Sequence, residues 1–153
     1  MRDPNNSTIA QNRRARHDYE IIQKFEAGIV LTGPEIKSVR GHKVQLQGSY
    51  ARIKEGEAWL QDAHIAPYVN AGYAAHNATR DRKLLLHKKE IAKIYELLGQ
   101  QGLTLIPLAM YFKRGKAKVE LGLGRGLKRY DKREVLKTRD VQRDMQQALR
   151  HNA

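Results

Sequence analysis

The stretch LTLIPLAMYFKRGKAKVELGL, residues 103–123, decides the fold. Two apolar-rich runs, Leu103 to Phe112 and Lys116 to Leu123, flank Lys113-Arg114-Gly115, the pattern of a β-hairpin with a glycine in its turn. Pro107 has no N–H for a ladder and predicts an edge position or a bulge. Upstream, Lys88 to Gly99 carries Ile91, Ile94, Tyr95 and Leu98 at the spacing of one helix face, stopped by Gly99 and Gly102. Arg80 to Leu86, basic and then apolar, predicts a strand entering the core. Tyr50 to Lys54 and Ala58 to Ile65 form a second hairpin about Glu55-Gly56-Glu57. Gly33-Pro34 opens a short helix, with Ile36 and Val39 facing inward, Lys37 and Arg40 outward, and Gly41 at its end. Tyr19 to Thr32 reads as two short strands bent at Glu26-Ala27-Gly28.

Six or so strands with short helices and Gly-rich turns predict a mainly β fold. The expected form is a single antiparallel barrel of the oligonucleotide-binding kind flanked by two or three helices, with a basic C-terminal tail. The expected division is a mobile polar N-terminus over 1–11, an RNA-binding barrel over 12–126 and the tail over 127–153. In the tail, Asp131 and Glu134 have the spacing of a capping box, so a helix can begin at Lys132. Its apolar residues are sparse, which predicts a segment disordered alone and helical on a partner.

Charge gives the class of partner. The 153 residues hold 29 Lys and Arg against 16 Asp and Glu, a net +13, so a polyanion is the natural ligand. The basic residues cluster: Arg13, Arg14 and Arg16; Arg80, Arg82 and Lys83 with Lys88 and Lys89; Lys113, Arg114, Lys116 and Lys118; and Arg125, Lys128 and Arg129. One such cluster is ordinary solvated surface. Four in one small domain point to nucleic acid. RNA is favoured because no recognition helix or zinc finger is visible and small barrels bind strands and loops. Tyr130, flanked by charge, is the best candidate for stacking on a base.

Other chemistry finds little support. No cysteine is present, which excludes disulfides and Cys-ligated zinc, and the six histidines show no paired ligand spacing, so no cofactor or metal is expected. Serines are few, and Glu55 with Glu57 reads as a solvated turn rather than an acid/base pair, so no enzyme is expected. Gly122-Leu-Gly124-Arg-Gly126 lacks the third glycine of a phosphate loop and reads as a flexible exit from the last strand. No apolar run approaches the ~20 residues that span a bilayer, and the N-terminus lacks a signal-peptide core, so a soluble cytoplasmic protein without membrane partners is expected. Two residues remain unusual. Glu26 is an acid at a bend in a basic chain and could accept from base amino groups; His87, among Lys and Arg, could donate to phosphate or a base.

The run Asn12-Arg-Arg-Ala-Arg-His17-Asp-Tyr19, then Phe25-Glu26-Ala-Gly28-Ile, then Glu35-Ile-Lys-Ser38 resembles the small protein B family. These are the bacterial SsrA-binding proteins that partner transfer-messenger RNA. The likeness continues through Arg80-Asp-Arg82-Lys-Leu-Leu-Leu-His87-Lys, Lys118-Val-Glu-Leu-Gly122 and Tyr130-Asp131-Lys132-Arg133-Glu134. It implies a monomer that clasps the tRNA-like domain of transfer-messenger RNA and escorts it, with elongation factor Tu acting through the aminoacylated RNA, into stalled ribosomes. The tail would enter the small-subunit decoding centre and empty messenger channel, and the nascent peptide would be tagged for degradation. Matched motif by motif, Glu26, Leu85 and His87 would face RNA, and Gly126, Tyr130, Asp131, Lys132 and Arg133 would engage the ribosome. Charge adds Arg13, Arg14, Arg82 and Lys83 to the RNA set and Lys128, Lys137 and Arg139 to the tail set. Pro34, Ala78, Leu127 and Val141 depart from the family's usual residues. The competing reading is a general binder of single-stranded or ribosomal RNA.

Overall fold

In the computed structural model, which describes residues 7–68, 77–99 and 102–127, the hairpin at 103–126 is the longest paired unit. Strand β8 (Leu103–Lys113) pairs with β9 (Lys116–Gly126), and Arg114 and Gly115 turn between them at φ 54° and 77°. Two consecutive positive φ values mark the turn that matches strand twist, and a glycine at the second position adopts one without strain. The second hairpin follows the same rule: β4 (Tyr50–Lys54) and β5 (Glu57–Gln61) meet at Glu55 and Gly56, with φ 53° and 76°.

The remaining elements are β1 (Thr8–Gln11), α1 (Arg13–Asp18), β2 (Tyr19–Ile29), α2 (Gly33–Arg40), β3 (Val44–Gln45), β6 (His64–Ile65), β7 (Arg82–Leu85) and α3 (Lys88–Leu98). The sheet runs β1-β8-β4-β5-β7-β2-β9, and the β8–β9 pairing closes it on itself, so six strands ring a barrel and β1 extends β8. All the pairings are antiparallel. The mainly β barrel flanked by short helices is therefore as expected.

Alternation along the strands fills the ring. Phe25, Ala27 and Ile29 of β2, Leu84 of β7, Leu60 of β5 and Val119, Leu121 and Leu123 of β9 are buried in one cluster with Val39 and Ile94 from the helices. A smaller cluster lies outside the ring: Ala15 of α1 covers Ile106 and Leu108, with Tyr19 and Ile21 beside them. This outer packing corrects the reading of Gly122 and Gly124 as a flexible exit. Both are buried within β9, and a Cβ on Gly122 would meet Leu108 at 2.8 Å, while one on Gly124 would meet Tyr19 at 3.0 Å. Pro107 lies in an interior strand, where a bulge between Pro107 and Ala109 accommodates it. Asn12 locks that bulge: its side chain donates to the Pro107 carbonyl at 2.9 Å and caps α1 by accepting from the Ala15 N–H.

Other expectations are overturned. Residues 8–11, expected to be mobile, form β1 with Ile9 buried. In place of two bent strands over 19–32 there is one strand, β2, ending at Ile29 and irregular between Ile21 and Gln23, so Glu26 lies within a strand and not at a bend. Helix α2 turns Glu35, Ser38 and Val39 inward and leaves Ile36 exposed. Tyr95, which its spacing places on one stripe with Ile94, is two-thirds exposed on α3.

Arg82 is the sharpest correction. Expected to meet RNA, it is fully buried, its Nε donating to Glu35 at 2.6 Å and its other nitrogens to the carbonyls of Ala63 and Ala78 at 2.8 and 3.0 Å. Arg80 joins the same carboxylate at 2.5 Å, and Glu35 in turn accepts from the Thr32 N–H to complete the capping box of α2. A guanidinium so enclosed holds β7 against α2 and reaches no external phosphate.

Candidate RNA-binding groove

Where β2, β7 and β9 run together, a surface groove of about 600 Å³ gathers residues that the sequence scatters over ninety positions. Its lining includes Glu26, Lys83, Leu85, His87, Lys88 and Lys118. Strand alternation places them: with Ala27 and Leu84 turned inward, Glu26, Lys83 and Leu85 point outward. Leu85 is half exposed and lies directly across from Gly28. A Cβ on Gly28 would sit 3.3 Å from that of Leu85, so this glycine makes room for an exposed leucine rather than for a turn. His87 occupies the N-cap position of α3, where its backbone N–H donates to Glu90 at 3.1 Å.

The charges are arranged around one carboxylate. Glu26 accepts a short hydrogen bond from the Tyr111 hydroxyl and longer ones from Lys113 Nζ at 3.3 and 3.4 Å. The Tyr111 bond, followed by Lys113, holds the Glu26 carboxyl below the usual range against the opposing effect of partial burial. Burial, with the bond to Glu26 second, raises the Tyr111 phenol far above the ordinary tyrosine range, so it remains the donor. Lys83 pairs with Glu57 at 3.4 Å at the other side of the groove. Such an arrangement offers a fixed acceptor for base amino groups, an apolar side chain for a base or ribose face, and cations for phosphate.

Of the expected RNA residues, Glu26, Lys83, Leu85 and His87 are brought together here, and Arg82 is not available. Arg13 and Arg14 do not line the groove; they are exposed on α1, at the start of β2, and Arg14 pairs with Asp18 at 3.1 Å. Gly126 ends β9 opposite Tyr19, beside α1. Lys128, Tyr130, Asp131, Lys132, Arg133, Lys137 and Arg139, together with Val141, lie outside the described residues. Lys113 and Lys118 belong to a basic cluster expected to meet nucleic acid but were not assigned to this site, and Tyr111 was missed; the outward period of the 103–123 hairpin places all three on one face. Among the described residues, no group of three or more His, Cys, Asp or Glu could hold a metal ion, and no helix is long and apolar enough to cross a membrane.

The chain is similar to proteins already described. The family model of the SmpB protein matches residues 9–151. The SsrA-binding protein of Limosilactobacillus reuteri is 52% identical over 147 residues, covering 96% of this chain and 94% of that protein. The SsrA-binding protein of a Nostoc species is 56% identical over 144 residues, covering 94% and 93%. A solved chain described under the words "tmRNA-SmpB: a journey to the center of the bacterial ribosome" is 53% identical and superposes with a TM-score of 0.66, covering 80% of this chain and 87% of that one.

Proposed function

The chain belongs to the SmpB protein family, and on that footing we propose that it binds transfer-messenger RNA and serves trans-translation, the rescue of stalled ribosomes. The groove is the surface that meets the tRNA-like domain of that RNA. One observation carries this reading: Glu26, Leu85 and His87, far apart in sequence, converge in a single groove edged by Lys83 and Lys118. The protein acts as a monomer without chemistry of its own, and elongation factor Tu joins it only through the aminoacylated RNA. Its place of work is the cytoplasm, where ribosomes stall. The tail from Lys128 onward, carrying Tyr130, Asp131, Lys132, Arg133, Lys137 and Arg139, enters the decoding centre and the empty messenger channel. Arg13, Arg14 and Gly126 sit at the barrel end from which the tail departs, a place suited to ribosomal RNA rather than to the groove's ligand.

A binding titration against the tRNA-like domain, with ordinary tRNA as competitor at two salt concentrations, tests the groove. Tight binding that survives the competitor and moderate salt is expected. Equal binding of both RNAs that collapses with salt would reveal phosphate attraction alone and favour the general RNA binder. Glu26→Ala is expected to weaken specific binding about tenfold although it makes the protein more positive. Unchanged or tighter binding would overturn the base contact.

A further inference from the structure

Glu26 and Tyr111 belong to different strands with a third between them. Glu26 of β2 faces Glu120 of β9, and Tyr111 of β8 faces Lys118 of β9, so the hydrogen bond between them crosses over β9. Two carboxylates directly opposite on neighbouring strands repel. Here each is given its own cation: Arg16 reaches Glu120 at 3.3 Å, and Lys113 reaches Glu26. The Tyr111 ring is half-buried at the foot of this arrangement, and its hydroxyl is spent on Glu26. An ionised carboxylate accepts at about four lone-pair positions. Tyr111 and Lys113 together make three contacts to it, which leaves acceptor capacity for a further donor.

We infer that Tyr111 is a specificity-determining positioning residue, whose hydroxyl fixes the Glu26 carboxylate in the orientation that an RNA base meets. The inference rests on the proposed contact between Glu26 and RNA. A free glutamate on a barrel surface samples many rotamers, and a ligand must then bear the cost of ordering it. A carboxylate tethered before binding avoids that cost and presents one geometry, which is what discrimination between bases requires.

The test is a double-mutant cycle with the full chain and the tRNA-like domain of transfer-messenger RNA, comparing Tyr111→Phe, Glu26→Ala and the pair. Tyr111→Phe should weaken binding roughly threefold to tenfold when Glu26 is present and have almost no effect when it is absent. The acid limb supplies a second readout. Binding needs the ionised carboxylate, so it is present above the folded pKa and lost as pH falls through it. Removing the phenol raises that pKa, so the variant should lose affinity at a higher pH than the parent. Lys113 of β8, Lys118 and Glu120 of β9, and Lys83 and His87 in the groove face the same region and are common to both proteins, so the shift between the two curves belongs to Tyr111. An equal loss from Tyr111→Phe in both backgrounds would make it a structural residue and overturn the inference. So would a silent Tyr111→Phe beside a damaging Glu26→Ala. A silent Glu26→Ala would instead remove the base contact itself, and this inference with it.

Discussion

Glu35→Ala is expected to remove about 3–5 kcal/mol of folding stability, enough to lower the thermal midpoint by roughly 10–20 °C. Glu35 and Arg82 are both fully shielded from solvent. With the carboxylate gone, the Arg82 charge stays inside the protein with backbone carbonyl oxygens as its partners, those of Ala63, Asn77, Ala78 and Arg80. Arg80 is less affected because a third of its side chain reaches water. Glu35→Gln keeps the shape and an acceptor for the Thr32 N–H but loses the charge, and should cost about half as much. Burial alone would raise the Glu35 pKa, yet the bonds from Arg80, the Thr32 N–H and Arg82 outweigh it, and the net direction is downward. The clasp is therefore fully formed above the usual carboxylate range and is lost as pH falls through the lower folded value. Denaturant melts at pH 7 and in acid measure both effects; a loss below about 1 kcal/mol for the alanine variant would mean that water reaches Arg82.

Ending the chain after Gly126 should abolish peptide tagging in a reconstituted translation reaction on a truncated message. Binding to the tRNA-like domain should change by no more than about twofold to threefold. The segment removed carries eight basic and four acidic residues, so most of the net +13 stays with the barrel, as do all the groove residues. The closing pair Tyr19 and Gly126 also survives. Tagging by the shortened protein would sink the tail's proposed role. Lost RNA binding would mean that the tail shares the groove's ligand.

What the sequence discloses about this fold divides along a physical line. Features written into a few consecutive residues were legible: both hairpins, through Glu55-Gly56 and Arg114-Gly115; the capped start of α2 at Gly33-Pro34; and the bulge at Pro107. Features decided by distant partners were not. Helix α1 is six residues long and rich in arginine, and it depends on Asn12 being tied to Leu46 and Pro107. Gly28 reads locally as a turn because its actual reason, the approach of Leu85, comes from a strand more than fifty positions away. Arg82 looks identical to its solvated neighbours until Glu35 is placed against it. Tyr95 keeps helical spacing, but α3 needs only Ile94 fully inside, and the stripe is wider than the surface that receives it. The site was half visible for the same reason: charge and an odd glutamate mark Glu26 and His87, whereas Tyr111 acquires a role only through a hydrogen bond that crosses β9.

The pairing of β2 with β9 has a mechanical consequence. Register runs from Tyr19 opposite Gly126 to Gly28 opposite Lys118. The chain's exit, where the Leu127 N–H donates to the Asp18 carbonyl at 2.8 Å, thus lies at one end of the same two strands whose other end borders the groove. Nine residues of strand set that interval at about 25–30 Å. The two strands work as a ruler between the groove at one end and Leu127 at the other. Since β-structure does not stretch, the length of this ruler fixes how far Leu127, the last of the described residues, stands from the groove; under the proposed function, the remaining reach from bound RNA to the ribosome falls to the residues beyond it.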